Sequence, residues 1–262
     1  IYSLVKKLQL RPETCGDVMY INKEWLDNLG LEVPTTIDEL TAVLEAFATQ
    51  DADGDGDPTN EIGITGNKSD YALSGCLRTI LAPFGTMVSR DNNYMGLHDG
   101  ERVFVPISEN YKEAVRWMYD MYQKGVIDPE FFTQEESMAM AKRQAEGGSQ
   151  VGLFTAWTAD AGAGMNVDQF VALEAVVGPD GKRHVENASN YLDVSDKELM
   201  ITKSCENPEK LLQWADDFYT DLVSLQTFYG SIPDQVKDNG DGTYEVLTPS
   251  DGSSLDTSAW SW

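Results

Sequence analysis

The chain has 262 residues, 41% of them hydrophobic, enough for one large domain or two lobes with a buried core. Its 44 acidic residues against 19 basic ones leave a net charge of −25. Such a field repels nucleic-acid phosphates and anionic lipid headgroups, and it favours cations and neutral ligands.

No apolar run approaches the roughly 18 residues that a membrane-spanning helix needs. Cys15, Cys76 and Cys205 form neither a CxxC pair nor a zinc-ligand spacing. The opening segment IYSLVKKLQL is apolar and strand-like and reads as the interior of a longer protein.

Apolar periods then alternate between two and 3.6. VMYI (18–21) reads as a buried strand. Asn22 caps a short helix through Trp25, Leu26 and Leu29 that Gly30 closes. Thr36 and Glu39 fit a capping box, and the helix after them puts Ile37, Leu40, Val43, Leu44 and Phe47 on one face. EIGIT (61–65) reads as a strand, and residues 71–85 as a helix stopped by Pro83 and Gly85.

Residues 92–105 read as two strands about a turn at Asp99-Gly100. Ser108 caps a helix whose expected apolar face is Tyr111, Val115, Met118 and Tyr122. A further helix (135–148) leads into the strand QVGLFTAW (150–157) and a small-residue loop, TADAGAGMN. A strand, FVALEAVV, precedes a turn at Pro179-Asp180-Gly181, and ELMIT (198–202) is another. Asn207-Pro208 opens a helix with Leu211, Ala215, Phe218 and Leu222 on its face. A hairpin turns near Asn239-Gly240-Asp241-Gly242. Strands interleaved with helices make the class α/β.

One stretch carries metal chemistry. In DADGDGDPTNEIG (51–63), Asp51, Asp53, Asp55 and Gly56 fall at positions 1, 3, 5 and 6 of an EF-hand loop. Asp57, at position 7, offers its backbone carbonyl. Position 12, normally a bidentate Glu, is Ile62, so Asn60 and Glu61 are the closing ligands expected. The loop is entered from a helix and left by a strand. That makes it a structural Ca2+ clip rather than a helix–loop–helix switch. The plainer alternative is a solvated acidic turn. DNGDGTYE (238–245) is a shorter, weaker candidate of the same kind.

The order of these segments resembles the extracellular solute-binding proteins of family 1, the carbohydrate-binding lipoproteins of bacterial ABC importers. MYINKEWLDNLGLEVPTTIDEL followed by the acidic loop carries the resemblance, which is similar to the calcium-loop branch that includes alginate-binding members. YKEAVRWMYDMYQKGVIDPEFF, VGLFTAW and ITKSCENPEKLLQWADDFY extend it, over most of residues 17–230.

The resemblance implies a two-lobed periplasmic-binding-protein type II fold. Residues 1–18 would end the N-lobe and cross over, 19–187 would form the C-lobe, and 188–262 would return toward the N-lobe. It implies a non-catalytic protein that grips an oligosaccharide between lobes and hands it to an importer. It further implies a monomer that is extracellular and lipid-anchored through a segment preceding Ile1.

Trp157 matches the cleft tryptophan of the family; the alternative is a core tryptophan. Asp160, close by, and Tyr229, a loop aromatic, are the other ligand-contact candidates, since rings stack on sugar faces and carboxylates bind hydroxyls. Trp25, Trp117 and Trp214 read as core. A glycoside hydrolase using two carboxylates and a calcium-stabilised adhesion or scaffold module are the competing functions.

Overall fold

The computed structural model describes residues 2–6, 17–69, 75–86, 93–98, 100–185 and 195–247. The chain divides into two compact units, residues 15–187 and residues 1–14 with 188–262.

The larger unit is built on a four-stranded sheet in the order β3-β6-β2-β7. β2 (Val18–Asn22) lies antiparallel to β6 (Val151–Ala156), with Val18 opposite Ala156 and Ile21 opposite Leu153. It is also antiparallel to β7 (Phe170–Ala172), whereas β3 (Ile62–Ile64) runs parallel to β6.

Successive side chains on these strands point to opposite faces, and both faces are covered. Met19, Ile21, Ile64 and Leu153 join the main core with Trp25, Leu26, Leu40, Leu44, Phe47 and Leu77. Tyr20, Phe154 and Phe170 form a smaller cluster with Ala163 on the other face. Burial on both faces is why β6 reads as a near-continuous apolar run broken only by Thr155.

The helices form where their caps place them. α1 (Lys23–Leu29) starts at Asn22, whose Oδ1 accepts the Trp25 N–H at 3.1 Å, and stops at Gly30, held at φ 67°. α2 (Ile37–Phe47) has the full capping box of Thr36 and Glu39, and its five expected apolar residues are all buried. α3 covers Gly75–Ile80, followed by a 3-10 turn at Ala82–Phe84. The start of the helix expected over 71–85 lies outside the described residues. β4 (Met95–His98) and β5 (Glu101–Phe104) pair as the expected hairpin.

α4 (Glu109–Gln123) differs from expectation in its face. Ala114 and Met121 are the buried residues, with Trp117 and Met118 packed beside them, while Val115 and Tyr122 are substantially exposed. Tyr122 instead leans toward Phe132, ring centroids 6.4 Å apart. α5 (Glu136–Arg143) is shorter than expected.

The small-residue loop after β6 is not irregular. It forms α6 (Ala159–Ala163) and a 3-10 segment, Gly164–Gln169. The Thr158 hydroxyl caps α6 by accepting the Ala161 N–H at 3.4 Å, a start signal that small residues conceal.

In the smaller unit, β1 (Tyr2–Lys6) pairs antiparallel with β8 (Ser195–Ile201). α7 (Pro208–Asp216) breaks into a 3-10 turn at Asp217–Tyr219 before α8 (Asp221–Tyr229). The single apolar face expected through Leu222 is therefore interrupted. Ala215 is its one buried residue in α7, and Trp214, expected in a core, is 53% exposed. β9 (Val236–Asp238) and β10 (Tyr244–Val246) form the expected hairpin. No helix among the described residues is long and apolar enough to cross a membrane.

Candidate functional site

The acidic loop joins α2 to β3 and folds on itself through its own backbone donors. Asp51 Oδ2 accepts the Gly56 N–H at 3.1 Å, Asp53 Oδ1 the Asp55 N–H at 3.0 Å, and Asp55 Oδ1 the Asp57 N–H at 2.7 Å. Gly54 and Gly56 sit at φ 78° and 95°, a backbone that L side chains rarely adopt, so the tight winding depends on them.

The outcome is a convergence. One carboxylate oxygen from each of Asp51, Asp53 and Asp55 lies within 4.8 Å of the others. No second cluster of three potential metal ligands is found among the described residues. In the 238–245 turn, Asp238 and Asp241 each bind backbone N–H groups two residues on.

Glu61 closes the loop from below. It is 7% exposed, and its Oε1 accepts the Ala52 N–H at 2.8 Å. Its Oε2 is buried without a hydrogen-bond partner, as is Asp51 Oδ1. A buried carboxylate oxygen left unpaired costs on the order of 1–3 kcal/mol. Burial pushes the Glu61 carboxyl above its ordinary range, against the Ala52 N–H that favours the charged form, and Asp53 adds to the rise. The converging carboxylates of Asp51, Asp53 and Asp55, one of which keeps a buried unpaired oxygen, form a donor set that suits a hard cation with oxygen ligands.

The remaining loop residues act differently. The Asp57 carboxylate accepts the Thr59 N–H and hydroxyl, at 3.1 and 2.6 Å. Asn60 turns Nδ2 toward Asp55 Oδ2 at 2.7 Å, so its oxygen serves a cation only if the amide flips. One contributor escaped sequence reading: Asn28, on α1, donates to the Ala52 carbonyl at 2.9 Å. The contact spans 24 residues, and no local signal marks it.

The sugar-contact candidates fall in two places. Trp157 is half-buried and directly follows β6; Asp160 is half-buried in the first turn of α6. Thus the structure brings these two onto one short segment of the larger unit. Tyr229 ends α8 in the smaller unit.

Val18 opposite Ala156 marks the end of the sheet at which Trp157 emerges. A largely apolar cavity of about 190 Å³ opens by the same end of β2, lined by Val18, Met19, Pro83, Leu173, Val176 and His184 among others. Ile62, next to Glu61, pairs with Val151 at the opposite end of β6. Six residues of strand separate Val151 from Trp157, about 20 Å. The acidic loop and Trp157 therefore occupy opposite ends of one strand.

A second buried charge cluster has a supporting role. Asp128 accepts from Thr65 Oγ1 at 2.8 Å, Gln134 Nε2 at 2.9 Å and Lys142 Nζ at 2.8 Å, which ties the 127–131 turn to α5. Burial alone would push its carboxyl up. The hydrogen bonds from Lys142, Thr65, the Glu130 N–H and Gln134 outweigh burial and hold it below the usual range.

No family model matches the chain. Individual proteins do. The chain is 32% identical over 228 residues to the fructooligosaccharide ABC transporter substrate-binding protein FusA of Streptococcus pneumoniae, covering 86% of this chain and 40% of FusA. Structures of FusA with kestose, and of a FusA EF-hand mutant with fructo-nystose, superpose with TM-scores of 0.75 and 0.74. These are 29% and 28% identical and cover 97% of this chain and 52% of theirs.

A human-milk-oligosaccharide-binding solute-binding protein associated with an ABC transporter, from Bifidobacterium longum infantis, gives a TM-score of 0.77 at 26% identity. It matches 94% of this chain and 51% of its own. Lipoprotein LipO of Bacillus subtilis is 28% identical over 125 residues, 45% of this chain and 23% of LipO. The chain spans at most about half the length of these relatives.

Proposed function

We propose that this chain, whose homologues are substrate-binding proteins of ABC transporters, is part of a protein that captures an oligosaccharide between two lobes and delivers it to an ABC importer without chemistry. The observation that supports it most is agreement of two likenesses, in sequence and in fold, to sugar-binding proteins across nearly the whole chain.

In this reading residues 19–187 form the C-lobe, and residues 1–18 and 188–262 belong with the N-lobe. Trp157 supplies a ring for the apolar face of a sugar, Asp160 accepts from hydroxyls, and Tyr229 is a further aromatic contact. A hinge between lobes would close them over the ligand.

The acidic loop holds Ca2+ as a structural ion, through carboxylates of Asp51, Asp53, Asp55 and Glu61, the Asp57 carbonyl and, after an amide flip, Asn60. The orphaned oxygens of Asp51 and Glu61 favour a cation there, and the similar protein FusA has been solved as an EF-hand mutant. The protein acts as a monomer outside the cell, held there by a lipid anchor.

A glycoside hydrolase needs a carboxylic acid whose pKa is raised beside the scissile bond. Among the described residues, of the carboxyls whose titration is displaced Glu61 alone moves up, and it faces the acidic loop. A thermal-shift screen of the full-length protein against neutral oligosaccharides, with the sugars re-analysed afterwards, tests the proposal. A raised melting temperature with sugar recovered intact supports it. New reducing ends support the hydrolase instead. A shift with Ca2+ and none with any sugar supports the scaffold.

A further inference from the structure

α6 is five residues long, and it presents Asp160 immediately after Trp157 and the Thr158 cap. A helix this short does not hold its own geometry; its surroundings must fix it. Its floor is Phe154, fully buried, stacked on Tyr20 at 5.4 Å and edge-on to Phe170 at 4.8 Å. Arg143, 5% exposed, places its guanidinium carbon 5.5 Å from the Phe154 ring centroid and pairs with Glu136.

Gly162 lies directly on that ring. A Cβ at this position would come within 2.1 Å of Phe154 Cε2. Alanine is the better helix former, so this glycine serves the close approach and not the helix. The end of α5 clamps the same segment from the side. Gln144 Nε2 donates to the Gly162 carbonyl at 3.4 Å, and Asn166 Nδ2 donates to the carbonyls of Arg143 and Ala145, both at 3.0 Å.

We propose that Gly162 is a positioning residue: its missing side chain seats α6 on the Phe154–Arg143 floor and so sets where Trp157 and Asp160 meet the sugar. The functional half of this statement rests on the reading of Trp157 as a sugar contact; the structural half does not.

The test compares wild type, Gly162→Ala, Phe154→Leu and the double variant in the full-length protein. Hydrogen exchange over residues 157–166 needs no ligand, and calorimetry measures affinity for kestose. Gly162→Ala is expected to speed exchange in that segment about tenfold, leave α2 unchanged, and weaken kestose binding about tenfold. Phe154→Leu removes part of the floor and is expected to loosen the same segment; because both changes act through one contact, the double variant is expected to fall short of the product of the two single effects.

Wild-type exchange in Gly162→Ala overturns the proposal. So does a defect spread equally over α2, or one that multiplies independently with that of Phe154→Leu. Unchanged kestose affinity in Gly162→Ala overturns it when Trp157→Ala does weaken binding. If Trp157→Ala leaves kestose binding intact, the sugar-contact reading fails separately, and the exchange data decide whether Gly162 seats α6.

Discussion

Glu61 Oε1 accepts the backbone N–H of Ala52 at 2.8 Å, so the residue that closes the acidic loop is bonded to the one that follows its first aspartate. The second oxygen of the same carboxylate is buried and unpaired. Glu61→Gln keeps the acceptor for Ala52 and removes the charge. Calorimetric Ca2+ affinity is expected to fall about tenfold or more. In chelator, the variant is expected to melt no lower than wild type, because a neutral amide is cheaper to bury. Equal Ca2+ affinity in the two proteins contradicts the ligand role.

The loop lies at the far end of β6 from Trp157, about 20 Å away. Calcium is therefore expected to stabilise the fold without touching the sugar. At a hundred times its dissociation constant it should add about 2.7 kcal/mol. Thermal unfolding in Ca2+ and in chelator measures this. Affinity for any neutral oligosaccharide that binds should agree within about twofold under both conditions while the protein stays folded. A loss of sugar binding that precedes unfolding would place the ion in the ligand site.

Asp128 is held below the usual carboxylate range, so its folded form releases its proton more readily than the unfolded chain. Its contribution is full above the unfolded pKa of about 3.9 and is lost as pH falls through the lower folded value. Asp128→Asn leaves Lys142, whose side chain is 19% exposed, with Glu130 alone. The expected cost is about 3 kcal/mol at pH 7, read from urea unfolding. The gap between variant and wild type should shrink as pH drops below about 4. A gap independent of pH would show that packing, not charge, accounts for the loss.

Thr36 anchors the start of α2 by accepting the Glu39 N–H at 3.2 Å. Thr36→Ala is expected to cost about 1 kcal/mol. Denaturant titration should show a lower midpoint with an unchanged slope. An unchanged midpoint would mean that the Ile37 N–H, bonded to Val177 O at 2.9 Å, fixes the helix start instead.

What the sequence reveals and hides follows from the range of each interaction. The caps at Asn22 and Thr36 are local, and so was the apolar face of α2; all are readable in a short window. The aspartate spacing of the acidic loop is likewise local. The face of α4 is ambiguous in sequence because Tyr111, Val115 and Tyr122 satisfy the same 3.6 period as Ala114, Trp117 and Met121. Neighbouring elements decide between two adjacent stripes. α6 leaves no sequence signal because alanine and glycine show no amphipathic contrast, and the Phe154 ring that holds it lies outside its own window. The Asn28 tie to the loop is equally non-local.

The most direct test of the account is calorimetry of the full-length protein with kestose and related neutral oligosaccharides, in wild type and Trp157→Ala. The account predicts saturable binding of at least one sugar, recovery of that sugar uncleaved, and affinity at least about tenfold weaker in Trp157→Ala, consistent with the loss of a buried aromatic contact worth 1.4 kcal/mol or more. Release of reducing ends, or identical affinity in the two proteins, would contradict it.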